Sequence, residues 1–166
     1  MGYIILMPSS LLSNRFNNRQ GFKMFVDGAG SLARFQKDEN PAQLAQAIRS
    51  LEQSVQADPD SGLGRFYLGL AHSLNGPEGA DRAREEFEAV VRSTSDVRLR
   101  LTAQCNLALL LGPSPGAEEQ LNGVLKEVSA HKGDPDLARL GREVTSLLPE
   151  LKNKTVAGPM RLDIDF

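Results

Sequence analysis

The sequence predicts an all-α protein, a stack of antiparallel helical hairpins ending in a C-terminal capping helix, with an extended arm at either end. Three observations predict it. A pattern of Ala-x-x-x-large apolar recurs as Ala47/Leu51, Ala83/Phe87 and Ala117/Leu121, at spacings of 36 and 34 residues, about the length of one helix-turn-helix unit. Apolar residues around each copy fall at helical intervals, as in Leu44, Ala47, Ile48, Leu51 and Val55. The punctuation also fits: Asn40-Pro41, Ser114-Pro115 and Asp134-Pro135 each set a capping side chain before a proline, and Gly76, Gly112 and Gly133 are placed to end helices.

The chain divides into an extended arm over residues 1–40, a helical domain over 41–150 and an extended tail over 151–166. In the arm, residues 1–26 hold Arg15, Arg19 and Lys23 and no acid, a composition shared by retained basic arms and organelle transit peptides. Leu6 stands where a myristoylation signal requires Ser or Thr. Tyr3, Phe16, Phe22, Phe25 and Phe35 crowd this region and need burial, which we assign to a partner protein. Gly28-Ala29-Gly30-Ser31-Leu32-Ala33, after the apolar Met24-Phe25-Val26, has the form of a dinucleotide-binding turn between strand and helix. The second strand and its acid are missing downstream of Ala33, so a flexible glycine turn is the competing reading.

Within the domain, the repeated segments read as second helices. Gly62 to Leu74 and Asp96 to Leu111 read as first helices, carrying Leu68-Gly69 and Leu107-Ala108; in each pair the small residue lets a neighbouring helix approach. Glu85, Glu86 and Glu88 share a segment with Arg82 and Arg84, a solvated face of helical ion pairs. A last helix from Pro135 to Leu148 presents Leu137, Leu140, Val144 and Leu147 on one side, with Pro149 as its stop, and caps the open end. In the tail, Met160 to Phe166 alternates apolar and polar residues, which suits a strand. With no sheet expected in a helical body, Leu162, Ile164 and Phe166 suit a partner's sheet edge, with a disordered end as the competing reading.

Ala47-x3-Leu51-x2-Ser54-x4-Pro59, followed by Phe66-Tyr67-Leu68-Gly69, resembles the second helix, closing proline and next first helix of the tetratricopeptide-repeat family. The match covers roughly residues 41–130. It departs from the family at Arg65, where an aromatic is usual, at His72, where tyrosine is usual, and in the turn Gly76-Pro77-Glu78-Gly79; the register of the third hairpin is ambiguous. The resemblance implies a right-handed stack of about two and a half to three repeats that binds protein segments in a groove. Members that grip chaperone C-termini do so with Lys, Asn and Arg on first helices. The matching positions here are Leu32, Ala33 and Gln36; Leu63, Phe66, Tyr67 and Leu70; Thr102, Cys105, Asn106 and Leu109. Only Asn106 fits. The resemblance therefore implies an apolar groove at Leu63, Phe66, Leu70 and Leu109, with the protein's own arm as a competing occupant.

A net charge of -2 argues against the broad basic face that nucleic acid needs. No apolar run approaches a membrane span, so membrane association would come only through a partner. One cysteine, Cys105, permits no internal disulfide, suits a reducing compartment and reads as a buried apolar residue. His72 and His131 have no neighbours that make them ligands or bases. No cofactor, metal or catalytic residue is expected. The functional expectation is a non-catalytic scaffold, assembly factor or accessory subunit binding other proteins in a multi-subunit complex. The competing readings are a peptide-binding co-chaperone or adaptor and a nucleotide-binding enzyme using the 28–33 turn.

Overall fold

In the computed structural model, residues 2–4, 16–153 and 160–162 are described, and they form seven α-helices and two three-residue strands. Helix α1 spans Arg19–Asp38, α2 Pro41–Ala57, α3 Gly62–Leu74, α4 Ala80–Ser93, α5 Val97–Leu111, α6 Pro115–Ala130 and α7 Pro135–Lys152. A 3₁₀ turn, Gly76–Gly79, links α3 to α4. Packing runs between neighbours in the chain, most extensively α1 on α2 and α3 on α4, and short connections between such neighbours make hairpin-like pairs. No strand falls within 41–150.

The helix boundaries follow the predicted chemistry. Asn40, Ser114 and Asp134 accept hydrogen bonds from backbone N–H groups of α2, α6 and α7, each ahead of a proline in the first turn. Gly76, Gly112 and Gly133 have φ of 71°, 68° and 95°, the left-handed region that glycine enters without strain. Leu51, Phe87 and Leu121 are fully buried in successive second helices. The small partners on first helices are equally literal. A Cβ on Gly69 would stand 2.9 Å from Cε1 of Phe87, so only glycine admits the ring at that depth.

The largest correction concerns residues 1–40. Residues 19–38 are helix, not extended arm, capped by Asn18. Phe25, Ala29 and Leu32 are fully buried, and Phe16, Phe22 and Phe35 are partly buried against the same core; these four aromatics, assigned to a partner strap, pack on the protein's own interior. The glycines that suggested a turn lie inside α1, and Gly28 is a contact point. Gly28 faces α2 so closely that a Cβ would lie 2.6 Å from Cγ of Leu51. Burial outweighs the helix penalty of a mid-helix glycine, about 1 kcal/mol, and the dinucleotide-binding turn is absent. The start of α1 is also tied down by α2. Asp58 Oδ2 accepts from the backbone N–H of Asn17 at 2.7 Å and Asn18 at 3.2 Å, while Ser54 Oγ donates to the carbonyl of Gly21 at 2.7 Å.

Two further boundaries differ. Helix α7 continues through Pro149 to Lys152; Leu151 is buried, which offsets the backbone hydrogen bond that Pro149 cannot donate. Its face of Leu137, Leu140, Val144 and Leu147 is buried as expected. In the tail, Met160–Leu162 (β2) pairs in parallel with Gly2–Ile4 (β1), Tyr3 opposite Arg161 and Ile4 opposite Leu162. The sheet partner of the tail is thus the same chain, while Ile164 and Phe166 lie outside the described residues. Glu86 is corrected as well: it leaves its own helix to meet Arg65 of α3 at 3.1 Å.

Buried side chains form two clusters, one over α1 to α4 and one over α5 to α7. Helix α5 joins them, giving Leu99 and Ala103 to the first and Leu101, Cys105, Ala108 and Leu109 to the second. Phe87→Ala, at the centre of the first cluster, is expected to cost on the order of 3–5 kcal/mol, read from the shift in denaturant midpoint. Deleting residues 1–26 removes Phe16, Phe22 and Phe25 together and should abolish cooperative melting. A truncated chain that melts like the whole would show that α1 is dispensable.

Candidate functional site

The predicted groove residues do not line an opening. Leu63, Phe66, Leu70 and Leu109 are at most 5% exposed. Phe66 packs with its ring centroid 5.6 Å from Phe87, and its neighbour Tyr67 meets Phe25 edge-on at 4.9 Å. Helix α1 takes part in filling that space. Asn106, the only match to a carboxylate clamp, is buried and donates through Nδ2 to the carbonyl of Thr102 at 3.0 Å. Phe25 is core, Phe16 and Phe22 are partly buried against it, and Tyr3 and Leu162 lie in the terminal ladder.

The reactive side chains are equally enclosed. Cys105 is fully buried and desolvation pushes its thiol well up, which disfavours the thiolate that a nucleophile requires. Burial raises Tyr67 to about 12. His72 is 4% exposed; burial lowers its pKa below the ordinary 6.5, with Glu52 raising and Arg82 further lowering it. Its backbone carbonyl is also crowded, since a Cβ on Gly79 would fall 1.9 Å from it, so only glycine fits at that position of the 3₁₀ turn.

What the surface does offer is a cleft of about 420 Å³ where α4, α5 and α6 meet, lined by Val91, Gln104, Leu107, Gln120, Gly123, Val124 and Glu127. Its position follows from α5, whose first turn is tied to both α6 and α7. At its start, Arg98 reaches Asp134 at 3.1 Å and Asp136 at 2.9 Å, fastening α5 to the first turn of α7. Two residues on, Arg100 forms a two-pronged ion pair with Glu127 of α6. That hydrogen bond holds the Glu127 carboxyl below its ordinary value, so one wall of the cleft keeps a paired carboxylate. The floor is apolar, from Val91, Leu107 and Val124. The side-chain amides of Gln104 and Gln120 have no hydrogen-bond partner among the described residues, leaving donors and acceptors for a backbone laid across the floor. Gly123 opens the wall, because a Cβ there would meet nothing within 4 Å.

Sequence reasoning missed Gln104, Gln120 and Gly123. The available signal was Gly123, a glycine inside an otherwise regular helix with no packing reason on its apolar side. Comparison with protein-family models, curated proteins and solved structures finds no match for the chain.

Stability should fall as the pH drops below 6.5. In that window unfolded chains bind a proton at His72 that the folded chain refuses, so the unfolded state gains. His72→Gln should flatten this stretch of the melting-temperature profile while leaving the descent below pH 4.5, where Glu127 loses its charge, in place. An unchanged slope in the variant would clear His72.

Proposed function

We propose that the chain is a non-catalytic protein-interaction module, a scaffold, assembly factor or accessory subunit, arranged as a tetratricopeptide-like stack of hairpins. The observation that carries this reading is the α4–α5–α6 cleft, whose apolar floor and unpartnered glutamine amides are the combination that receives a peptide segment. The hairpin-like pairing of α1 with α2, α3 with α4 and α5 with α6 supports the stacked arrangement. The enclosure of Cys105 and His72 agrees with a role in holding rather than reacting. A rigid body suits this work, since a preformed cleft spares the ordering entropy that a mobile surface loses on binding.

Affinity purification of the full chain from its native source should retrieve a stoichiometric protein partner. Gly123→Arg fills the cleft at a position with free space, so it should weaken that association at least ten-fold with the melting temperature unchanged. Retention of the partner by the variant would remove the cleft from the interface, and a chain that retrieves no protein would sink the reading.

A further inference from the structure

Two asparagines precede glycine, Asn75-Gly76 and Asn122-Gly123, and the fold sets them in opposite circumstances. An asparagine carboxamide is open to attack by the main-chain nitrogen of the residue after it, and glycine there removes the side chain that would obstruct the approach. Asn122 and Gly123 lie in the middle of α6, where the Gly123 N–H is committed to the carbonyl four residues back. Swinging that nitrogen towards Cγ of Asn122 would break the helix.

Asn75 stands exposed at the end of α3, its own N–H donating to the His72 carbonyl at 3.0 Å. Its carboxamide makes no hydrogen bond among the described residues. Gly76 follows at φ 71°, its N–H makes no backbone hydrogen bond among the described residues, and a Cβ there would meet nothing within 4 Å. The peptide between Asn75 and Gly76 can therefore turn as a unit, ψ of Asn75 against φ of Gly76, without displacing its neighbours. Only glycine gives that second angle its freedom.

We infer that Asn75 is a site of spontaneous deamidation in the folded protein, while Asn122 is protected. The Gly76 nitrogen gives its proton to hydroxide and attacks Cγ of Asn75. A C–N bond forms, closing a cyclic imide, as the bond from Cγ to Nδ2 breaks and ammonia leaves. One water then opens the ring. Attack at Cγ gives aspartate, and attack at the main-chain carbonyl carbon of residue 75 gives isoaspartate. The net change is one water taken up and one ammonia released, with no oxidant or reductant, and it is independent of whether the chain holds a partner.

The product disturbs a turn that has no slack. Either opening leaves a carboxylate where α3 ends and its unbonded carbonyls carry partial negative charge. In the isoaspartyl form the main chain also runs through Cβ and Cγ, and so is longer, beside a glycine whose notional Cβ would stand 1.9 Å from the His72 carbonyl. The connection between α3 and α4 then loosens.

The test is ageing of the full chain in mildly alkaline buffer, followed by peptide mapping with mass spectrometry. The peptide holding Asn75 should gain the mass that exchanges NH for O and split into aspartyl and isoaspartyl forms, at a rate that rises with hydroxide. The peptide holding Asn122 should stay unchanged until urea unfolds the chain, after which both convert. Asn75→Gln keeps the carboxamide but disfavours ring closure, so position 75 should remain intact in that variant, and the aged wild type should melt lower than the aged variant. Equal conversion of both asparagines in the folded chain, conversion of Asn122 alone, or conversion of neither before urea is added overturns the inference. An aged chain that carries isoaspartate at position 75 and melts like the fresh one overturns the loosening of the turn.

Discussion

Close approach between a small residue on one helix and a large one on the next is the constraint on which the molecule depends. A helix of this length cannot hold its shape in water alone, and none of these seven has more than one or two faces to bury. Where Phe87 lies over Gly69 and Leu51 over Gly28, the helix backbones come near enough for side chains on both flanks to interlock. Fully buried Ala47, Ala83 and Ala117 serve the same end from the second helices. The repeat that runs through the chain is, physically, a repeat of these contacts.

Polar ties then set the direction in which each pair leaves the last. Ser54 and Asp58 bind the start of α1 to the end of α2, and a Cβ at Gly21 would collide with that of Asp58 at 2.9 Å. Arg65 donates to the carbonyl of Pro59 at 3.0 Å and pairs with Glu86, so one guanidinium joins the α2–α3 connection to α4. Arg98 does the equivalent between α5 and α7. These arginine contacts are partly screened by solvent and contribute modestly to stability; their effect is to select one geometry among several that would bury similar apolar area.

Legibility in the sequence followed how local each signal was. The caps at Asn40, Ser114 and Asp134 and the buried stripe of α7 were readable because a single turn of helix carries the whole pattern. Helix α1 was not, although Phe25, Ala29 and Leu32 have helical spacing, because Gly28 and Gly30 mimic a loop unless Leu51 is known to lie across Gly28. The groove assignments at Leu63, Phe66 and Leu70 rested on positions matched to a family pattern, and such a match does not reveal that these side chains are buried in the protein's own core. Arg65 and His72 stood out as departures from the repeat pattern, yet only the fold shows one as a clasp and the other as a buried ring. The cleft itself was illegible, since Gln104 and Gln120 are ordinary helix residues until α5 and α6 are placed side by side.

The pairing of Gly2–Ile4 with Met160–Leu162 has a kinetic consequence. Every other major contact joins elements adjacent or nearly adjacent in sequence, and local contacts form early because little chain must be closed to make them. The ladder joins segments at opposite ends of the chain. It is therefore expected to form after the helical body, and during synthesis on a ribosome it must wait until Met160–Leu162 emerges. The body matures first and the two ends meet as a late, separable event.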